Sequence, residues 1–143
     1  MKVLGLETYL LKCQIPSNWR FPTASFVRGG SLFIKVTTDD GLVGWGEPSP
    51  YGAPHEVTRG LLEGPLKEWI IGKDPFEVGS LTRQEETRGQ HSYGGAAWTS
   101  GVAAIGQALW DIVGKAQNKP LYRLLNPDAK PSVRAYASSG MIY

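Results

Sequence analysis

A long helical pattern at residues 99–125 constrains the fold of this chain more than any other stretch. Its apolar side chains recur every three or four residues, which is the spacing of one face of an α-helix. They are Val102, Ile105, Leu109, Ile112 and Ala116. Small residues flank this face at Ala103, Ala104, Gly106 and Ala108. The pattern predicts a buried helix whose backbone a second element approaches closely.

Both ends of this helix carry sequence signals. Thr99 or Ser100 is the expected N-terminal cap, because a hydroxyl oxygen can accept a hydrogen bond from the first free amides. Pro120 ends the helix and opens a shorter one that reaches Leu125.

Three earlier segments, residues 2–12, 31–38 and 42–47, alternate between apolar and polar residues and predict β-strands. The side chains expected to point inward are Leu4, Leu6, Leu10, Leu32, Ile34 and Val36. Asp40-Gly41 predicts a tight turn between the second and third strands, so the three form an antiparallel meander. Residues 133–138 predict one more strand, which has no partner in this chain.

Helical spacing fills the middle of the chain. Residues 57–70 predict a helix that is kinked or divided at Gly64-Pro65. Asp74 is placed to cap a further helix, with Phe76 and Leu81 inward, and a glycine-rich connection is expected at 89–97. Strands followed by helices indicate the α+β class, here a three-stranded antiparallel meander followed by a bundle of three or more helices.

Charge and composition exclude several classes of partner. The formal net charge is +2, from fifteen basic and thirteen acidic residues without runs, so no nucleic-acid or membrane-surface footprint is expected. Cys13 is the single cysteine, which rules out an internal disulfide and fits a reducing compartment. Without an apolar run of ~18 residues or a signal-peptide pattern, we expect a cytoplasmic protein with no membrane partner.

Four blocks of sequence together resemble a known family. They are DGLVGWGE at 40–47, IGKDP at 71–75, AI and ALWDIVGK within 104–115, and PLY with LL within 120–125. In this order they resemble the N-terminal domain of the enolase superfamily, in its mandelate racemase and muconate lactonizing branch. The resemblance implies a capping domain at residues 1–125. It also implies that 126–143 is a linker and the start of the first strand of a barrel.

The resemblance implies chemistry that this chain does not hold. In this superfamily a Lys or His base on the barrel takes a proton α to a carboxylate, and Mg²⁺ stabilises the enediolate. A (β/α)₈ barrel needs roughly 200 residues or more, whereas thirteen remain from Pro131 to Tyr143. We therefore assign no catalytic residue and no metal ligand here, place Mg²⁺ in the full-length parent, and expect this fragment to be inactive alone.

The implied function is that of a lid and specificity domain in a Mg²⁺-dependent enzyme, with an acid-sugar dehydratase as the first hypothesis. A racemase or cycloisomerase of the same superfamily is the alternative, and a non-catalytic binding or scaffold module is a hypothesis of another class. The expected partners are a small carboxylate substrate and the missing barrel. We also expect a homo-oligomer, because the barrel-facing side chains of Trp110, Ile112 and Val113 would otherwise be exposed.

Two loops carry the candidate substrate-binding residues. Residues 14–30 lose all periodicity and contain Trp19, Arg20 and Phe21; a loop of this length is usually functional or mobile. The planar fork of an arginine suits a carboxylate, and the resemblance implies a flap over the substrate. The alternative is an ordinary surface loop. Residues 48–55 would form a second wall that carries Tyr51.

Several other polar residues favour structural roles. His55 is expected at the surface, Glu47 to accept backbone amides, and Asp111 to make a structural hydrogen bond or an ion pair with Lys115. The two histidines lie far apart in sequence, which gives a zinc site poor support. The glycines of 41–46 do not open a helix, as a dinucleotide site would require.

Overall fold

The computed structural model describes residues 1–14, 30–51, 53–92 and 95–137, with side chains excepted at 90–92. Three antiparallel strands come first, in the order β1 (Val3–Lys12), β2 (Gly30–Thr38) and β3 (Val43–Gly46). The helices that follow are α1 (His55–Glu63), α2 (Pro65–Ile70), α3 (Val78–Ser92), α4 (Ala96–Gln117) and α5 (Leu121–Leu125), with a 3₁₀ turn at Pro75–Glu77. The predicted α+β arrangement of a meander followed by a helical bundle is confirmed.

The sheet buries one face, as the alternation predicts. Leu32, Ile34 and Val36 of the central strand are completely buried. Leu4 is an exception, because 62% of it is exposed and its predicted inward position was wrong. The register of β1 against β2 shifts between Val3 and Gly5, so a bulge at this point turns Leu4 outward and Val3 inward.

The turn between β2 and β3 lies where Asp40-Gly41 predicts it. Gly41 has φ +83°, a backbone conformation that glycine adopts without steric cost. Its amide donates to the carbonyl of Thr38 at 3.1 Å, and the amide of Thr38 donates to the carbonyl of Leu42 at 3.0 Å. These hydrogen bonds set the antiparallel register of β3.

Helix α4 is the centre of the fold. It packs against β2 and β3 on one side and against α1 and α3 on others. Its apolar stripe is buried at Val102, Ile105, Leu109 and Ile112. The predicted close approach is confirmed, and the approaching element is β3. Gly46 lies against the backbone of Ala104 and Gly44 against that of Ala108, so that a Cβ on either glycine would meet a carbonyl oxygen of α4.

Helix α4 begins earlier than predicted. Its N-cap is Gly95, which has φ +114° and makes no side-chain cap. Thr99 and Ser100 therefore lie inside the helix, and the expectation that either one caps it was wrong. The preceding helix α3 also continues to Ser92, past the predicted start of the glycine-rich connection. Position 89 lies inside this helix and holds a glycine, because the ring of Trp98 occupies the space where a Cβ would stand.

The break and the cap predicted for the middle helices are confirmed. Helices α1 and α2 are separate elements that meet at Gly64-Pro65. A side-chain oxygen of Asp74 accepts a hydrogen bond from the amide of Phe76 at 3.0 Å. Leu81 is buried as predicted, but Phe76 is 48% exposed and its inward prediction was wrong. Phe76 belongs to a 3₁₀ turn of three residues per turn, which places Pro75 inward instead.

The C-terminal half of α4 differs from the expectation that part of its apolar surface is exposed. Ile112 and Val113 are buried within this domain, so they were wrongly assigned to a barrel-facing patch. Trp110 is partly buried against the core. Residues 132–137, the last that the structure describes, form no strand. A strand requires a neighbour for its hydrogen-bond ladder, and none of the three described strands pairs with this segment.

A polar network joins β1 to α1. The hydroxyl of Thr8 donates to the carboxylate of Glu63, and Arg59 donates to the same oxygen at 2.7 Å. These contacts, the hydroxyl first, hold the pKa of Glu63 below its ordinary value. Because the folded-state pKa is depressed, the network stabilises the fold above the unfolded pKa, and this contribution is lost as the pH falls through the folded pKa.

We expect Thr8→Val to raise the pKa of Glu63 towards its ordinary value, because the largest cause of the shift is removed. An NMR titration of the Glu63 carboxyl carbon measures it. Tyr9→Phe is the matched control, since the hydroxyl of Tyr9 donates to Glu7 at 2.9 Å instead and lowers the pKa of that carboxyl. An unchanged Glu63 titration in Thr8→Val would contradict the assignment.

Candidate functional site

The candidate site lies where the chain leaves the sheet at the C-terminal end of β3. Residues 47–51 run along α4 and are held to it by side chains of that helix. Gln107 bonds both backbone groups of Glu47, accepting from the amide at 3.0 Å and donating to the carbonyl at 3.3 Å. The hydroxyl of Ser100 donates to the carbonyl of Ser49 at 3.0 Å.

Tyr51 lies on this loop, at the surface. Its side chain is 87% exposed, and its amide donates to the hydroxyl of Ser49 at 3.3 Å. An exposed tyrosine offers both an aromatic face and a hydroxyl to a bound molecule. The predicted location of Tyr51 on a loop beyond the strands is thus confirmed, while its contact with a substrate stays a prediction.

Trp19, Arg20 and Phe21 lie outside the described residues, so their roles stay predictions. The ends of the segment that carries them are described. Lys12 pairs with Gly30 in the ladder between β1 and β2, so the segment leaves and re-enters the sheet at one end. Because β3 runs antiparallel to β2, the chain leaves β3 towards that same end. Both predicted loops therefore begin at the same end of the sheet.

His55 connects the start of α1 to the start of β2. It opens α1, is only 8% exposed, and its Nε2 donates to the carbonyl of Gly30 at 3.2 Å. The expected surface position was wrong, because the imidazole is drawn inward to satisfy a backbone carbonyl at the start of β2. Its role is structural, at the base of the segment that contains Arg20.

Asp111 has the structural role that the sequence favours. One of its oxygens accepts from the backbone amide of Trp45 at 3.1 Å and from Lys115 Nζ at 2.7 Å. Lys115 also donates to the carbonyl of Val43 at 2.7 Å. The pair therefore bonds Val43 and Trp45 of β3 to α4, and the predicted hydrogen bond and ion pair are confirmed.

Gln107 and Ser100 are site residues that sequence reasoning missed. A signal was available: they are polar, seven residues apart, and therefore on one face of an otherwise apolar helix. Beneath the loop a cleft of about 360 Å³ is lined by Glu47, Pro48, Ser49, Pro50, Ala103 and Gln107. The hydrogen bonds from Gln107 involve the backbone of Glu47, so the exposed carboxylate of Glu47 lies at the rim of this cleft.

A second, larger depression runs beside α4. This open groove of about 740 Å³ borders α3 and the turn into α5, and it shares Ala103 and Gln107 with the cleft. Its apolar walls include Trp110 and Leu121, and Leu121 is 45% exposed. Glu86, Asp111, Lys115 and Lys119 add charge of both signs along the rim.

The described residues offer no ligand set for a metal. No group of three or more His, Cys, Asp or Glu side chains lies close enough within them to hold an ion. Among the described helices, none has the length and apolarity needed to cross a bilayer.

The comparison with protein families identifies the chain. The model for the N-terminal domain of the mandelate racemase/muconate lactonizing enzyme family matches residues 15–126, well over half of the sequence. The chain belongs to this family.

Individual relatives agree with this membership. The chain is 36% identical over 140 residues to a D-galactonate dehydratase from Cronobacter sakazakii. It superimposes with TM-score 0.77 and 29% identity on a member of the enolase superfamily from Polaromonas sp. JS666, over 88% of this chain. A mandelate racemase/muconate lactonizing protein from Paracoccus denitrificans, solved with magnesium, matches with TM-score 0.68 and 26% identity over 87% of this chain.

These matches cover almost all of this family member but little of its relatives. The alignment with the dehydratase takes in 98% of this chain and 32% of the relative. The two solved structures are covered to 33% and 30% of their chains. The chain thus spans about a third of the length of the family members that it matches.

Proposed function

We propose that this chain is the lid and specificity domain of a Mg²⁺-dependent acid-sugar dehydratase that abstracts the proton α to a carboxylate. The observation that carries this proposal is the 36% identity to a D-galactonate dehydratase across 98% of the chain. The topology agrees with it, because the loop that carries Tyr51 and the segment of residues 15–29 are rooted at the same end of the sheet.

In this proposal Trp19, Arg20, Phe21 and Tyr51 face the substrate. The guanidinium of Arg20 would bind the carboxylate of an acid sugar through two parallel hydrogen bonds. The aromatic side chains would cover the sugar and exclude water. The lid then contributes affinity and selectivity, while proton abstraction belongs to another part of the enzyme.

The base and the Mg²⁺ ligands would come from a barrel beyond this chain. One solved relative of about three times this length was determined with magnesium, which supports that assignment. The groove beside α4, with Trp110 and Leu121, is the proposed docking face for the barrel. Residues 126–143 would be the linker and the start of its first strand; Val133 and Tyr136 are 87% and 90% exposed before any neighbour packs on them. We further propose a cytoplasmic homo-oligomer.

The test begins with the reading frame that encodes this chain. The full-length protein is assayed with Mg²⁺ and a panel of acid sugars that includes D-galactonate. Loss of water to a 2-keto acid is measured, together with α-proton exchange in ²H₂O. Dehydration supports the proposal. Epimerisation or ring closure without loss of water would favour a racemase or cycloisomerase, and a stop codon directly after Tyr143 would favour a stand-alone binding module.

Arg20→Lys in the full-length enzyme is expected to lower kcat/KM for the acid sugar by about ten- to a hundredfold, because a lysine cannot make the paired hydrogen bonds. Arg28→Lys, in the same segment, is the matched control and should change kcat/KM by less than about threefold. Equal effects of the two substitutions would contradict the assignment of Arg20.

A further inference from the structure

One side chain on α4 bonds both backbone groups of Glu47. Gln107 Oε1 accepts from the amide, and Gln107 Nε2 donates to the carbonyl. This is the pattern that a neighbouring strand offers to a residue in an antiparallel pair. Glu47, however, is the first residue beyond β3, which ends at Gly46. The side-chain amide of Gln107 therefore makes with Glu47 the two hydrogen bonds that a neighbouring strand would make inside the sheet.

A second contact holds the same loop two residues further along. Ser100 is 6% exposed, and its hydroxyl donates to the carbonyl of Ser49. Ser100 and Gln107 lie two helical turns apart on one face of α4. Between them, the backbone of Ala104 lies against Gly46. The chain from Gly46 to Ser49 is thus fixed to α4 at successive points before it reaches Tyr51.

Gln107 also borders both depressions described above. It lines the cleft beneath the loop and the groove beside α4. The residue that holds the loop is therefore part of the face on which the barrel is proposed to dock. No other natural side chain of this length supplies both an acceptor and a donor: a glutamate lacks the donor at neutral pH, and a methionine offers only a weakly accepting sulfur.

We propose that Gln107, assisted by Ser100, is a positioning residue. It fixes the distance of the Tyr51 loop from α4 and the position of this loop relative to the barrel-docking groove. The part of this inference that concerns substrate rests on the proposed function, whereas the clamp on the loop does not. Gln107 acts through the backbone of Glu47 and does not itself touch substrate.

The clamp is tested by hydrogen–deuterium exchange in the full-length protein, with Gln107→Met compared against Gln117→Met. The control makes the same chemical change on the exposed end of the same helix, ten residues and about 15 Å away. We expect exchange of the Glu47 amide, which donates to Gln107, to rise about tenfold in Gln107→Met and to stay unchanged in Gln117→Met. The other exchangeable backbone amides of residues 47–51 are those of Ser49 and Tyr51, because prolines have none. Gln107→Glu, which keeps the acceptor alone, should lie between wild type and Gln107→Met.

Ser100→Ala gives an independent measurement at the second point, with faster exchange expected in the same peptide. Exchange in residues 47–51 that is no faster in Gln107→Met than in Gln117→Met would overturn the clamp. The melting temperature is recorded beside it, because a general loss of stability would accelerate exchange in the strands as well.

Steady-state kinetics separate positioning from a merely structural role. We expect Gln107→Met to raise KM for the acid sugar about fivefold to tenfold while kcat changes less than twofold, because a displaced loop weakens binding without touching the reacting atoms. Faster exchange with unchanged KM and kcat would overturn the positioning role and leave the proposed function standing. Absence of dehydratase activity in the unmodified full-length protein would overturn the proposed function, while the exchange measurement would still decide whether the clamp exists.

Discussion

Gly46→Ala is expected to lower the free energy of unfolding by about 3 kcal/mol. The new methyl group would collide with the carbonyl oxygen and carbon of Ala104, which are backbone atoms of α4. A flexible side chain could turn away from such a contact, but the backbone of a buried helix can respond only by moving the whole helix from β3. The midpoint and slope of a urea unfolding curve measure the effect.

Gly60→Ala is the matched control for this prediction. Gly60 lies inside α1, and a Cβ placed on it meets no atom within 4 Å. Alanine there should stabilise the protein by about 0.5–1 kcal/mol, because glycine loses more backbone entropy on entering a helix. If Gly46→Ala unfolded at the same urea concentration as wild type, the close packing of β3 on α4 would be refuted.

Trp98→Ala is expected to cost about 3–5 kcal/mol, the usual range for deleting a buried aromatic ring. Trp98 is 2% exposed, lies against Gly89 of α3, and donates through Nε1 to the backbone carbonyl of Glu85 at 3.1 Å. Alanine leaves a cavity between α3 and α4 and removes this donor. Trp98→Phe keeps most of the apolar volume and should cost about 1–3 kcal/mol.

Trp45→Ala is the control for Trp98→Ala, because it removes a tryptophan that is only partly buried. Trp45 is 46% exposed on the outer face of the sheet, where its ring lies 5.6 Å from that of Tyr9. Losing this partly solvated contact should cost about 1 kcal/mol. Thermal unfolding of the two alanine variants gives the comparison, and equal destabilisation would mean that Trp98 is not the structural anchor between α3 and α4.

The candidate site depends on the same helix as these two predictions. Trp98 fixes the N-terminal part of α4 on α3, and Gly46 lets β3 reach its middle. Ser100 and Gln107 lie on either side of the contact between Ala104 and Gly46 and hold the loop that leads to Tyr51. A substitution that shifts α4 is therefore expected to displace the loop as well.

Local features were predictable because the groups that determine them lie close together in sequence. The apolar repeat of α4, the turn at Asp40-Gly41, the cap at Asp74 and the pair of Asp111 with Lys115 each involve residues at most a few positions apart. The four family blocks are likewise short runs of sequence, and the N-terminal-domain model of the family they resemble matches residues 15–126.

Features that depend on packing partners were mispredicted or missed. Leu4 points outward because of a bulge against β2, and His55 is buried because Gly30 presents a carbonyl to it. Ile112 and Val113 are covered by their own domain, which no periodicity could distinguish from cover by a barrel.

The sequence by itself determined the order of the three strands and of the helices that follow them, and the family. Only the tertiary structure decided which faces meet, because Gln107 and Glu47 are sixty positions apart and Asp111 and Trp45 are sixty-six. A hydrogen bond between such residues exists only after α4 has packed on β3, and that packing is set by the shape of both surfaces rather than by either segment alone.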